Sequence, residues 1–298
     1  MPQNPRLILV HAHPDDESIN NGATMAHYAA QGYGVTLVTC TAGEEGEVIV
    51  DHLAHVASNA DDTLGEVRKK ELAAAMEILG VSDHRFLGGH GHFRDSGMVG
   101  TEPNQRPECF WQADLLDAAT LLVEIIREVK PHVLVTYDDF GGYGHPDHIK
   151  AHRIAMYAYM LASMGSFKPE LGAPWQIQKV YWNASPKGPM KQAIEMLKAQ
   201  GISNEFTEMN LDEMPFFVED SVVTTRVNAG AFTQQKVAAL AAHVTQVDVT
   251  SGPFGAMIAF GGENFGVEHY RLVAGEKGDV DPDTGWETDL FSGIDLHR

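Results

Sequence analysis

Residues 7–18 read LILVHAHPDDES. Leu7 to Val10 is a short apolar run of the kind that forms a buried strand. It breaks into His11, His13, Asp15, Asp16 and Glu17, two histidines and three carboxylates inside one short stretch. A strand ending in so many ligand-type side chains is a poor packing element and a good metal site. In an open α/β sheet, ligands bind in the crevice beyond the carboxyl ends of the strands. Working outward, Ile19 to Gln31 has helical spacing and stops at Gly32, and residues 33–40, YGVTLVTC, form a second β-rich run. Strand, helix and strand within about 35 residues make a βαβ unit.

The alternation continues. A helix is predicted over 64–80, with Val67, Leu72, Ala75, Met76 and Leu79 as its apolar set. A short strand follows over 84–87, then a helix over 112–129 and a strand over 132–137, HVLVTY. Pro146 opens a further helix to about 164, where a missing N–H does no harm in the first turn. Beyond it, strands are expected at 180–182 and 221–227, and helices over 187–201 and 230–243. The chain past Gly252 gives no assignable pattern. Regular alternation through about residue 165 predicts an α/β protein with a doubly wound, mostly parallel sheet over 1–165 and a smaller C-terminal part over 166–298. Residues 88–110 have no apolar period. A loop of that length carrying His90, His92, Arg94 and Asp95 favours function over packing.

The 298 residues carry 41 acidic and 21 basic side chains, a formal net charge of −20. This argues against nucleic acid or an anionic membrane as partner, since both need clustered cations. Two cysteines, Cys40 and Cys109, without a CxxC spacing suggest neither a disulfide framework nor a thiolate zinc site. The opening MPQNPRLILV turns polar too quickly for a signal peptide or membrane span. A reducing cytoplasm is the expected compartment.

His13 and Asp16, three apart on a turn closed by Pro14, can reach one ion. A catalytic metal site needs a third protein ligand and an open position. The loop GYGHPDH and the helix after it offer His145, His148 and His152, and it too follows a strand. Asp15, beside Asp16, is the obvious general base for a metal-activated water. Glu17 and Ser18 suit the start of a helix.

HAHPDDES with the later GYGHPDHIKAH resembles the PIG-L or LmbE-like family of zinc-dependent N-acetylglucosamine deacetylases. NGATMAHY, TCTAGEEGEV, GHFRDSGMVGT, KVAALAAHVTQV and GWETDLFSGI extend the resemblance, to the family's mycothiol-pathway branch, over most of the chain. It is weakest between about 165 and 220. The resemblance implies a Rossmann-like fold, a zinc ion on His13, Asp16 and His148, and Asp15 as general base. It also implies catalytic roles for Tyr143 and His145, and contacts from Arg68 and Asp95 to the sugar and inositol hydroxyls. The implied substrate is N-acetylglucosaminyl-inositol, and the products are glucosaminyl-inositol and acetate. Iron(II) accepts the same donors.

The mycothiol S-conjugate amidase, from the same lineage, would share this catalytic set. A binding protein without catalysis would be expected to lack Asp15. Dinucleotide binding would need GxGxxG where HAHPDDES stands. His152 reads as a ligand in reserve or a support for one. Phe216 and Phe217 fit core packing better than a lid. The oligomeric state has no sequence signal.

Overall fold

The computed structural model describes residues 4–199, 201 and 207–296. Its first strand, β1 (Arg6–His11), carries Leu7 to Val10 fully buried. Leu7 and Leu9 pack into one apolar cluster, and Ile8 and Val10 into another on the opposite face. A parallel strand covered on both sides must be apolar at every position, and LILV meets that demand. Helix α1 (Asp16–Ala30) returns the chain to β2 (Gly34–Thr39), which pairs parallel with β1 along its whole length. Helix α2 (Leu64–Leu79) and strand β3 (Asp83–Phe86) follow, and Gly80 ends α2 in the left-handed conformation. Helix α3 (Leu115–Val129) leads to β4 (Val133–Thr136). A single turn, α4 (Gly141–Gly144), precedes α5 (Pro146–Ala162).

The chain then forms β5 (Lys179–Pro186), α6 (Lys187–Ala199), the short β6 (Phe217–Val218), β7 (Thr225–Asn228), α7 (Thr233–Ala242), α8 (Gly252–Gly261) and β8 (Val267–Ala274). The sheet order is β3-β2-β1-β4-β5-β8-β7, with β6 beside the end of β5. The first five are parallel, and β8 runs antiparallel to both β5 and β7. Helices α1, α2 and α7 cover one face, and α3 and α5 the other. The sheet continues without a break across residue 165.

Three expectations are corrected. Helix α1 begins at Asp16 rather than Ile19, because two acids in the first turn suit the helix dipole. Helix α3 begins at Leu115, where Asp114 accepts from the amides of Leu116 and Asp117. The chain past Gly252 supplies α8 and β8, and β8 sits inside the sheet. The order in which strands are added reverses between the parallel β1 and β4: β2 lies outside one and β5 outside the other. The loops after β1 and β4 therefore open onto one crevice, the usual ligand site of such sheets.

Candidate active site

Asp15 holds the N-cap position of α1 with φ 107° and ψ −33°. Such backbone costs a non-glycine residue about 1–3 kcal/mol and persists only where its surroundings impose it. They do so from both sides. The Asp15 amide donates to Glu17 Oε2 at 2.9 Å, and Arg68 Nη2 donates to Asp15 Oδ2 at 3.1 Å. Arg68 also donates to the carbonyls of Pro14 and Gly43. Gly43 must be glycine here: its φ is +68°, and a Cβ would lie 2.0 Å from Arg68 Nη1. Burial pushes the Asp15 carboxyl up to about 6 against the pull of Arg68. That value suits a general base working near neutrality.

The candidate metal donors come next. His148 Nδ1 lies 3.1 Å from the Gly141 carbonyl, which can only accept, so the ring proton sits on Nδ1 and Nε2 keeps its lone pair. His13 Nε2 lies 3.2 Å from Asp147 Oδ2, which leaves His13 Nδ1 as the free lone pair. These two lone-pair nitrogens face each other at 3.2 Å. Asp16 Oδ1 lies 3.4 Å from His148 Nε2, and its Oδ2 lies 3.5 Å from His13 Nδ1. With His13 neutral, these two lone pairs and the Asp16 carboxylate face one another with no donor among them, an arrangement that a cation between them relieves. Tetrahedral donors about 2.0–2.2 Å from one ion stand roughly 3.3–3.6 Å apart. The residues fit a metal ion.

The electrostatics agree. Burial opposes charge on His13, yet the carboxylates of Asp95, Asp147 and Asp16 raise its pKa well above the usual value. Asp16 is held well below the carboxylate range by His148 and His13 despite its burial. Burial lowers His148 to about 4. The carboxylates around His13 favour positive charge at this point, which a proton on the imidazole or a bound metal ion meets.

Asp147 and Tyr137, absent from the sequence-based set, and Asp95, expected there as a substrate contact, surround these candidate ligands. Asp147, fully buried, accepts from His13 and from the amide of Ser96 at 2.9 Å, with the Ser96 hydroxyl on its other oxygen. Asp95 Oδ1 stands 3.5 Å from the same His13 nitrogen and accepts the Gly97 amide at 2.8 Å. Tyr137 O–H donates to Asp16 Oδ2 at 2.6 Å while its oxygen accepts the Ala12 amide. Such outer partners orient metal ligands and raise their basicity. Asp147 stands between Pro146 and His148, so its place in the ligand motif was its only sequence signal.

The second loop brings His145 and Tyr143 over the donors. The centroid of the His145 ring lies 4.6 Å from that of His13. His145 Nδ1 caps α5 by accepting the Asp147 amide at 3.1 Å, so the ring's proton resides on Nε2. Burial, with His13 and His148 adding to it, lowers His145 to about 3, so its imidazole is neutral. Tyr143 is 43% exposed, and its ring packs edge-on against His148 with centroids 4.9 Å apart. Burial, with the Asp16 carboxylate adding to it, raises its hydroxyl above the ordinary tyrosine range, which leaves an O–H donor near neutral pH.

Other expected residues sit elsewhere or do other work. Arg68 is buried and commits both terminal nitrogens to the protein, and its Nε has no partner among the described residues. Asp95 is likewise buried. His152 turns Nδ1 to the Tyr137 carbonyl and packs on Trp182, outside the donor cluster. His11 bonds Asn21, and Glu17 bonds His243. Phe217 packs partly buried against Ile194, Leu197 and Leu211, whereas Phe216 is exposed.

Residues 8–159 match the family model PIG-L, GlcNAc-PI de-N-acetylase. The chain belongs to the PIG-L family. It is 53% identical over 291 residues to the 1D-myo-inositol 2-acetamido-2-deoxy-alpha-D-glucopyranoside deacetylase of Geodermatophilus obscurus, covering 97% of this chain and 98% of that protein. The same-named enzyme of Streptomyces avermitilis is also 53% identical, with 97% of each chain covered. Among solved structures, the N,N'-diacetylchitobiose deacetylase of Pyrococcus horikoshii shares the fold, with a TM-score of 0.61 at 16% identity. That match covers 90% of this chain and 84% of the other. Like its PIG-L relatives, the chain is an N-deacetylase, and its His/Asp cluster suits a metal. Among the described residues, no helix is long and apolar enough to cross a membrane.

Proposed function

We propose that this PIG-L protein hydrolyses the acetamide of 1D-myo-inositol 2-acetamido-2-deoxy-alpha-D-glucopyranoside, giving glucosaminyl-inositol and acetate for mycothiol biosynthesis. The observation that carries the reading is the convergence of His13 Nδ1, His148 Nε2 and an Asp16 carboxylate next to Asp15, whose pKa of about 6 suits a base. Full-length relatives of the same name, 53% identical, support the substrate.

The residues to hold the ion are His13, Asp16 and His148. Two imidazoles and a carboxylate suit zinc, and iron(II) accepts them as well. When bound, the ion supplies Lewis acidity for the acetamide carbonyl and a water of lowered pKa. Asp15 takes the proton as water attacks. Tyr143 O–H donates to the oxygen on which negative charge develops. His145, neutral with its proton on Nε2, is a second donor above the donors. The leaving amine takes its proton from Asp15, which has just gained one. Arg68 and Asp95 are the groups we assign to the sugar and inositol hydroxyls on the family resemblance. Both are buried, Arg68 on Pro14, Gly43 and Asp15 and Asp95 on the Gly97 and Glu45 amides, so this role requires the substrate to displace part of those contacts.

Acetate release tests the reading. Metal-loaded protein is expected to deacetylate this substrate at least tenfold faster, by kcat/KM, than it cleaves a mycothiol thioether conjugate. Faster cleavage of the conjugate would move the assignment to the amidase.

A further inference from the structure

Below the loop that carries Asp15 lie two side chains with no part in the chemistry above. Glu17 and His243 are both fully buried and come from opposite ends of the chain. His243 Nε2 stands 2.9 Å from Glu17 Oε1. A carboxylate can only accept here, so His243 is the donor. Ser18 O–H donates to the same oxygen at 2.5 Å, and Glu17 Oε2 takes the Asp15 amide at 2.9 Å. Every polar contact of Glu17 therefore points its second oxygen at the backbone of Asp15.

His243 is itself fixed. It is the C-cap residue of α7, and its carbonyl accepts the amides of Gln246 and Val247. Two residues on, the Thr245 amide and hydroxyl bond Glu71 of α2 at 2.8 and 2.9 Å. The donor to Glu17 is thus anchored to two helices other than α1.

Asp15 needs such an anchor. Its φ is 107°, and its side chain makes no capping bond to α1; within the helix start only the Ile19 amide, on its carbonyl, and the Glu17 carboxylate, on its amide, hold it. Arg68 holds the carboxylate end at 3.1 Å, and Glu17 holds the amide end.

We propose that His243, acting through Glu17, is a positioning residue for Asp15: its hydrogen bond fixes Glu17 so that the Asp15 amide is held and the carboxylate stays turned out of α1 into the crevice. The proposal rests on Asp15 serving as the base in the function proposed above. A relaxed φ would carry the carboxylate away from the metal donors while leaving His13, Asp16 and His148 in place. Misplacing a reacting group by about 1 Å costs on the order of 100-fold.

The test compares His243→Leu, which lacks the donor, with His243→Gln, which restores an N–H. In crystals of metal-loaded His243→Leu, Asp15 is expected to leave the positive-φ region. In solution its kcat is expected to fall ~100-fold, with KM within twofold and metal content unchanged. His243→Gln is expected to recover at least tenfold of that loss. Retention of the positive φ with kcat within twofold of wild type overturns the proposal. A loss that appears in metal content or KM instead overturns it too, since it marks a structural role. If His243→Leu is not recovered folded, His243→Asn, polar but too short to reach Glu17, carries both arms. Wild-type protein without turnover would refute the proposed function, and the crystallographic arm alone would then decide the positioning role.

Discussion

Replacing Asp147 with asparagine isolates the electrostatic part of the metal site. Asp147 Oδ2 accepts from His13 Nε2 at 3.2 Å and the Ser96 amide at 2.9 Å, and its Oδ1 accepts the Ser96 hydroxyl. Asparagine has the same shape. Its carbonyl oxygen can take the Oδ2 place, and its amide group can face a Ser96 hydroxyl turned to accept. The fold and the His13 tautomer survive, and the negative charge behind the imidazole is lost. Removing such outer partners lowers metal affinity by about 10- to 100-fold, roughly 1.4–2.7 kcal/mol. Asp95 Oδ1 still stands 3.5 Å from His13 Nε2 and supplies a second charge. The expected loss is therefore at the low end, about tenfold. Chelator-competition titration of wild type and Asp147→Asn measures it, with thermal melting of both metal-free proteins as the fold control. Equal affinity, within twofold, in a variant that melts like wild type would refute the argument that these carboxylates make His13 a stronger ligand.

Three further outcomes follow from particular contacts. Tyr143→Phe removes one donor from a half-exposed ring, so kcat should fall about 100-fold or more while metal content and thermal stability hold; stopped acetate assays read this. A base must be unprotonated to act, and Asp15 titrates at about 6, so kcat/KM should fall as pH drops through that value. A pH–rate profile flat down to pH 4 would speak against Asp15. Lys179→Met should destabilise the fold by about 3 kcal/mol, since it strands the buried carboxylate of Glu287, now 2.5 Å from Lys179 Nζ, among neutral donors only. Urea unfolding measures that loss.

The first half of the fold is legible because its strands are buried on both faces. LILV of β1 and VLV of β4 are apolar at successive positions, so period and length agree. Strand β8 gives no such signal. Its VEHYRLVA mixes charge with apolar residues, and Glu268 is buried there because Lys236 and the amides of Ala23 and Thr24 bind it. Such pairing is tertiary information that no local window contains. The loop from 88 to 110 is likewise ordered by side chains: Asn104 bonds the carbonyls of Ser96, Gly97 and Met98. The ligand-type residues His13, Asp16 and His148, which the structure brings within 3.2–3.5 Å of one another, were legible as candidates. The supports were not: Tyr137 reads as a strand end and Asp147 as part of a helix start until the distances to Asp16 and His13 are known. Arg68 shows the limit from the other side, because its hold on Pro14, Gly43 and Asp15 depends on loops that meet only in the folded chain.

The central claim is that Asp15 serves as base beside a metal held by His13, Asp16 and His148. Its most direct measurement is acetate release from N-acetylglucosaminyl-inositol by wild type and Asp15→Ala, each stripped of metal and then reloaded with zinc. Turnover only in reloaded wild type, with Asp15→Ala binding zinc normally yet slower by at least 100-fold, is the predicted result. Reloaded Asp15→Ala as fast as wild type, or zinc-loaded wild type without activity, would contradict it.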